Sequence, residues 1–129
     1  MAQENSFSNL TGQQFMSLAT YRKTGVAVPT PVWFVDVNGS LFVTTESTSG
    51  KVKRLRNNGN VTVAPCKANG NVTGPAVDAQ ARILPPEEFK SAEQALKKKY
   101  GLQWYVFGLL ARLRGGKGQS VFLEIAPGD

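Results

Sequence analysis

Thr44-Thr45 and the following Ser49-Gly50-Lys51 are the residues of this sequence whose types and spacing best suit chemistry. The threonines end an apolar alternating run. A polar loop from Glu46 then leads into a short basic segment, about Lys51–Asn58, which reads as a helix stopped by Gly59. A helix start offers free backbone N–H groups and the positive end of the helix dipole, and so accepts an anion. Ser49 can cap that start, and Gly50 lets the backbone approach a ligand closely. Lys51 places a cation in the first turn, where the dipole favours an acid. A bound phosphate accounts for that locally unfavourable charge, with Thr44 and Thr45 adding hydroxyl donors. Spacing alone leaves a second reading open, a solvated basic helix face.

Other chemistry is excluded by what the chain lacks. It has no histidine and one cysteine in 129 residues. That removes a Ser-His-Asp triad, a Cys-His pair, His-containing metal sites and a thiolate zinc site. If the chain is an enzyme, a bound cofactor carries the difficult step. The net charge of +6 favours an anionic partner of some kind. Ten of its fifteen Lys and Arg fall in three blocks: Lys51, Lys53, Arg54 and Arg56; Lys97-Lys98-Lys99; and Arg112, Arg114 and Lys117. Cys66 cannot pair internally, the N-terminus is polar, and no apolar run reaches the length of a membrane span. These features predict a single soluble domain over 1–129, cytoplasmic, with no membrane partner.

The elements that would position such a site read as follows. Thr11 and Gln14 form a capping box, so a short helix is expected from about Thr11, with Leu10 stapled to Phe15. A strand follows near Leu18–Arg22. Val26–Asp36 reads as one long strand, kept to an edge or bulged by Pro29 and Pro31, which cannot donate ladder bonds. Asn38-Gly39 signals a type I′ hairpin into a return strand, Ser40–Thr45. Asn60–Lys67 and Ala76–Leu84 alternate as strands, the second with Val77, Ala79, Ala81 and Ile83 on one face. Pro85-Pro86-Glu87-Glu88 opens a helix that ends at Lys97–Lys99 and Gly101. A second helix carries Leu102, Val106, Leu109, Leu110 and Leu113 on one stripe. Arg114–Gly118 is a loop and Ser120–Ala126 the last strand. Six or so strands joined by tight turns imply an antiparallel barrel with flanking helices, mainly β and α+β in class.

Leu18-Ala19-Thr20-Tyr21-Arg22-Lys23-Thr24-Gly25, Pro29-Thr30-Pro31-Val32-Trp33-Phe34-Val35, Ser49-Gly50-Lys51-Val52-Lys53-Arg54-Leu55-Arg56 and Val61-Thr62-Val63-Ala64-Pro65-Cys66 occur in that order. Together they resemble the pyridoxamine 5′-phosphate oxidase-like split β-barrel flavoproteins, nearest the deazaflavin (coenzyme F420)-dependent branch. The resemblance runs on through Lys99-Tyr100-Gly101-Leu102-Gln103 to Leu123-Glu124-Ile125. It implies an FMN-binding-type split barrel, a homodimer, and two cofactors in interface clefts. The family's phosphate-binding positions match Thr44, Thr45, Ser49, Gly50 and Lys51, with Lys53 and Arg54 as helpers. Its ring-facing strand matches Thr30, Pro31, Val32 and Trp33. The true pyridox(am)ine phosphate oxidases carry a substrate-binding arginine and histidine near the C-terminus. This chain has no histidine, which argues against vitamin B6 oxidation.

The implied activity is hydride transfer between FMN or coenzyme F420 and a small planar organic substrate. Cofactor storage without turnover is the alternative, and a basic barrel on single-stranded nucleic acid a more distant one. Trp33 is either a core aromatic or a platform for the ring. Trp104, Tyr105 and Phe107 are expected in core or dimer packing, or as a lid. Cys66 reads as an inert buried thiol and Lys97–Lys99 as helix-end charge. Arg112, Arg114 and Lys117 form a solvated face or meet a polyanionic cofactor tail.

Overall fold

Alternating apolar residues carry most of the chain into one antiparallel sheet. In the computed structural model, which describes residues 7–113 and 120–128, its strands are β1 (Phe15–Tyr21), β2 (Ala27–Trp33), β3 (Val35–Val37), β4 (Ser40–Glu46), β5 (Asn60–Cys66), β6 (Val77–Ile83) and β7 (Ser120–Pro127). Their spatial order is β2-β1-β5-β6-β7-β4-β3. Met16 and Leu18 of β1, Val63 of β5, Val43 of β4 and Leu123 of β7 point into a common core. Val32 and Phe34 from one end of the sheet meet Leu41 from the other in that core, so the sheet curls into a half-barrel.

Helix α1 (Gly50–Asn57) follows β4 and turns Val52 and Leu55 inward. Helix α2 (Phe89–Tyr100) is preceded by a 3₁₀ turn at Pro86–Glu88 and buries Ala92, Leu96 and Tyr100. These pack with Leu84 and Phe122 as a second cluster, against which Trp33, Phe42 and Trp104 rest. Helix α3 (Leu102–Leu113) leaves α2 at Gly101, whose φ of 55° suits glycine. Among the described residues no helix is long and apolar enough to cross a membrane.

Several expectations hold. β2 is an edge strand, pairing only with β1, which leaves Pro29 and Pro31 harmless to the ladder. Asn38 and Gly39 have φ of 54° and 88°, the pair of positive values a type I′ turn requires. β6 buries Ala79 and Ala81 as its alternation implies.

Three expectations are corrected. No helix starts at Thr11: a 3₁₀ turn at Ser8–Leu10 buries Leu10, and Gly12 at φ 80° turns the chain into β1. β1 begins at Phe15, because Met16 and Leu18 alternate into the core and outweigh the local capping signal. The long run Val26–Asp36 divides at Phe34 into β2 and β3, giving seven strands rather than six. The Arg114–Gly118 loop and the N-terminal residues 1–6 lie outside the described residues.

Candidate functional site

Ser49 caps α1 from an extended conformation, its Oγ accepting the Val52 N–H at 3.4 Å. Thr45 Oγ1 donates to that same Oγ at 3.2 Å, tying the end of β4 to the helix start. Thr44 and Thr45 are consecutive on a strand and so face opposite ways. The Thr44 hydroxyl donates instead to the Val121 carbonyl of β7 at 3.3 Å. The structure therefore brings Thr45, Ser49, Gly50 and Lys51 together and leaves Thr44 on the neighbouring ladder.

Arg54 is fixed by its own anchor. Its Nε donates to Thr20 Oγ1 at 2.6 Å, satisfying a hydroxyl that is fully buried in β1. That bond folds the guanidinium back over the helix start: a Cβ at Gly50 would stand 2.8 Å from Arg54 Nη1. A larger residue at position 50 would have to push that guanidinium aside. Burial lowers the Lys51 pKa, and the adjacent Arg54 charge lowers it further. Among the described residues neither cation has a carboxylate in an ion pair. Two cations held side by side at a helix N-terminus are an arrangement that suits an anion.

Beside them lies a shallow cavity of about 270 Å³ lined by Tyr21, Arg22, Lys23, Gly50, Lys53, Arg54 and Asn57. Lys53 joins the site through this groove. Arg22 and Lys23, in the turn after β1, were not singled out from sequence; only register brings that turn against α1. A larger cavity of about 610 Å³ shares the Tyr21 wall but is lined by Asn58, Asn60, Asp78 and Gln80 and no cation, so it does not suit a phosphate.

The four β2 residues are placed differently. Val32 is buried in the barrel core. Thr30 faces inward, its hydroxyl 3.5 Å from the Leu18 carbonyl. Pro31 is exposed on the outer face, and Gly70 of the β5–β6 loop lies near its ring. Trp33 stacks on Tyr100, with centroids 4.1 Å apart and planes within 5°, and meets the Phe107 ring edge-on at 4.5 Å. Within one chain Trp33 is thus already covered by its own aromatic neighbours. Cys66 is buried, and burial pushes its thiol up, which keeps it protonated and unreactive.

A curled antiparallel half-barrel of seven strands with flanking helices is the split-barrel class of fold. The chain belongs to the pyridoxamine 5′-phosphate oxidase family, which matches it over residues 3–129. No curated protein sequence matches it. Among solved structures it is similar to HutZ, the heme storage protein from Vibrio cholerae, at 14% identity and a TM-score of 0.67, covering 95% of this chain and 87% of that one. It is also similar to a FAD-binding protein from Mesorhizobium loti, at 17% identity and a TM-score of 0.64, covering 95% and 84%. A conserved hypothetical protein from Mycobacterium tuberculosis matches at 16% identity and a TM-score of 0.68, covering 95% and 78%. At these identities the likeness is one of fold.

Proposed function

We propose that this chain binds FMN or coenzyme F420 through its phosphate at the start of α1, in a homodimer. It passes hydride between that cofactor and a small planar organic substrate. The observation that carries this reading is the half-buried Lys51–Arg54 pair beside the Ser49 cap, with no carboxylate paired to it among the described residues. FMN and F420 share a ribityl-phosphate stem, which this cradle fits. The FAD-binding neighbour supports a flavin on this fold. When bound, the cofactor supplies the two-electron chemistry. The chain's own groups bind and orient. Lys51 and the free N–H groups of α1 hold the phosphate. Thr45 fixes Ser49, and Thr20 fixes Arg54.

A second reading is binding without turnover, as in cofactor storage. It is favoured by the likeness of fold to HutZ, a heme storage protein.

The test is a visible-spectrum titration of the parent, Lys51→Ala and Lys98→Ala with FMN and with F420 at fixed salt. Lys51→Ala should weaken binding by roughly 1.5–3 kcal/mol, about 10- to 150-fold, the range for a hydrogen bond to a charged group. Lys98→Ala should bind as the parent does. The opposite pattern places the phosphate on the wrong helix. Oxidation of the reduced, bound cofactor by added acceptors separates turnover from storage.

A further inference from the structure

The larger cavity, of about 610 Å³, takes no part in holding the cofactor phosphate. The register of β5 and β6 builds it, setting Asn60 opposite Gln80 and Thr62 opposite Asp78. Asn60, Asp78 and Gln80 are exposed and alternate with Val61 and Ala79, which are buried in the core. Asn58, just past α1, and Tyr21, at the end of β1, stand at its sides. The Gly128 N–H donates to the Asp78 carbonyl at 3.2 Å, which brings the end of β7 in as a further wall.

The bonds within this cluster fix what each group still offers. Asn58 Oδ1 accepts the Asn60 backbone N–H at 3.0 Å, which leaves the Asn58 amino group as a donor. Gln80 donates to Asn60 Oδ1, which leaves the Gln80 carbonyl as an acceptor and the Asn60 amino group as a second donor. Asp78 is in no ion pair among the described residues, and both oxygens of its carboxylate are acceptors. No Lys or Arg stands among the described lining residues, so an anion finds only a like charge there. A cation is disfavoured in turn by Arg22, Lys23, Lys53 and Arg54 in the groove across Tyr21. The ligand that remains is uncharged and carries two adjacent donors beside an acceptor. The Watson–Crick edge of guanine has that pattern, and so do the vicinal hydroxyls of a sugar. The volume lies within the roughly 300–1,000 Å³ of pockets that hold small organic ligands. We infer that this cavity is a second binding site, for an uncharged ligand whose paired donors meet Asp78 and whose acceptor meets the amino groups of Asn58 and Asn60.

This site stands apart from the cofactor reading. Its test is isothermal titration calorimetry of the protein with guanosine and with adenosine, which share a ribose and differ in the base. Guanosine binding well above adenosine supports the site with the base edge as its ligand. Equal binding of the two supports it with the vicinal hydroxyls. Asp78→Asn keeps the shape of an exposed side chain and removes an acceptor, and should weaken binding at least about tenfold, as for a hydrogen bond to a charged group. Asn60→Ala removes a neutral donor and should weaken it about threefold or more. Both variants should give the circular dichroism of the parent. The site is overturned if neither nucleoside binds at millimolar concentration, if adenosine binds more tightly than guanosine, or if Asp78→Asn or Asn60→Ala binds as the parent does. It is equally overturned if FMN displaces the nucleoside one for one, since the cavity would then belong to the cofactor.

Discussion

At Phe34 the chain leaves one strand before entering the next, and its backbone groups must find partners outside the ladder. Tyr100 supplies them. Its hydroxyl accepts the Phe34 N–H at 2.9 Å and donates to the Gln14 carbonyl at 2.7 Å. Lys99 completes the latch, donating to the carbonyls of Phe34 and Gln13 at 2.7 and 2.8 Å with its ammonium over the Phe34 ring. Tyr100→Phe strands a buried N–H and should cost about 1–3 kcal/mol in urea unfolding. Its pH dependence is equally specific. Burial pushes the Tyr100 phenol from 10 up to about 12, against the bond to Phe34. The folded chain thus holds this proton more tightly than the unfolded chain. The contribution is complete below pH 10 and is lost as pH rises through about 12. The parent should lose stability more steeply than Tyr100→Phe across that window. Equal slopes would show that the phenol titrates freely. Burial pushes Lys99 down to about 8, which acts in the opposite sense: stability rises as that ammonium loses its proton. Lys99 is present in both proteins, so the difference between their slopes isolates the Tyr100 phenol.

At the scale of elements, α1 is held by its cap, by two buried apolar residues and by the Arg54 tether. Ser49→Ala removes the acceptor for the Val52 N–H and should lower stability by about 1 kcal/mol without cofactor, read as an earlier urea midpoint with an unchanged slope. A larger loss would mean that the Thr45 contact also matters to folding. This helix was legible in sequence because its signals are local: Ser49 before it, Gly59 after it, and Val52 and Leu55 at helical spacing. The hairpin at Asn38-Gly39 was legible for the same reason. The start of β1 was not. A capping box at Thr11 competes there with alternation that pays only once β5 and β2 flank the strand. The break at Phe34 was hidden likewise, since its partner, Tyr100, is remote in sequence. Within the candidate site, Thr45, Ser49, Gly50 and Lys51 were found together because they are neighbours on one strand–loop–helix unit. Arg22 and Lys23 reach the groove only through the register of β1. Pairing Thr44 with Thr45 overlooked the two-residue period of a strand.

At the scale of the whole molecule, the proposed cofactor is larger than the site one chain provides. The groove beside α1 holds about 270 Å³, below the roughly 300–1,000 Å³ of pockets that enclose drug-sized ligands. It is walled by cations and so suits the phosphate end alone. Trp33, the aromatic that the family resemblance sets beside the ring, is stacked on Tyr100 and edged by Phe107. On the proposed reading the ring needs a second wall, which a symmetric partner would supply with no additional sequence. The edge strand β2 offers a place for it: Pro29 and Pro31 are exposed there and prevent open-ended strand addition. Light scattering at micromolar concentration should give about twice the chain mass of 13.9 kDa. A parent that remains a monomer with saturating cofactor present would remove the second wall and, with it, the interfacial placement of the ring. The anion cradle at Lys51 would stand on its own, as a phosphate site in search of a different ligand.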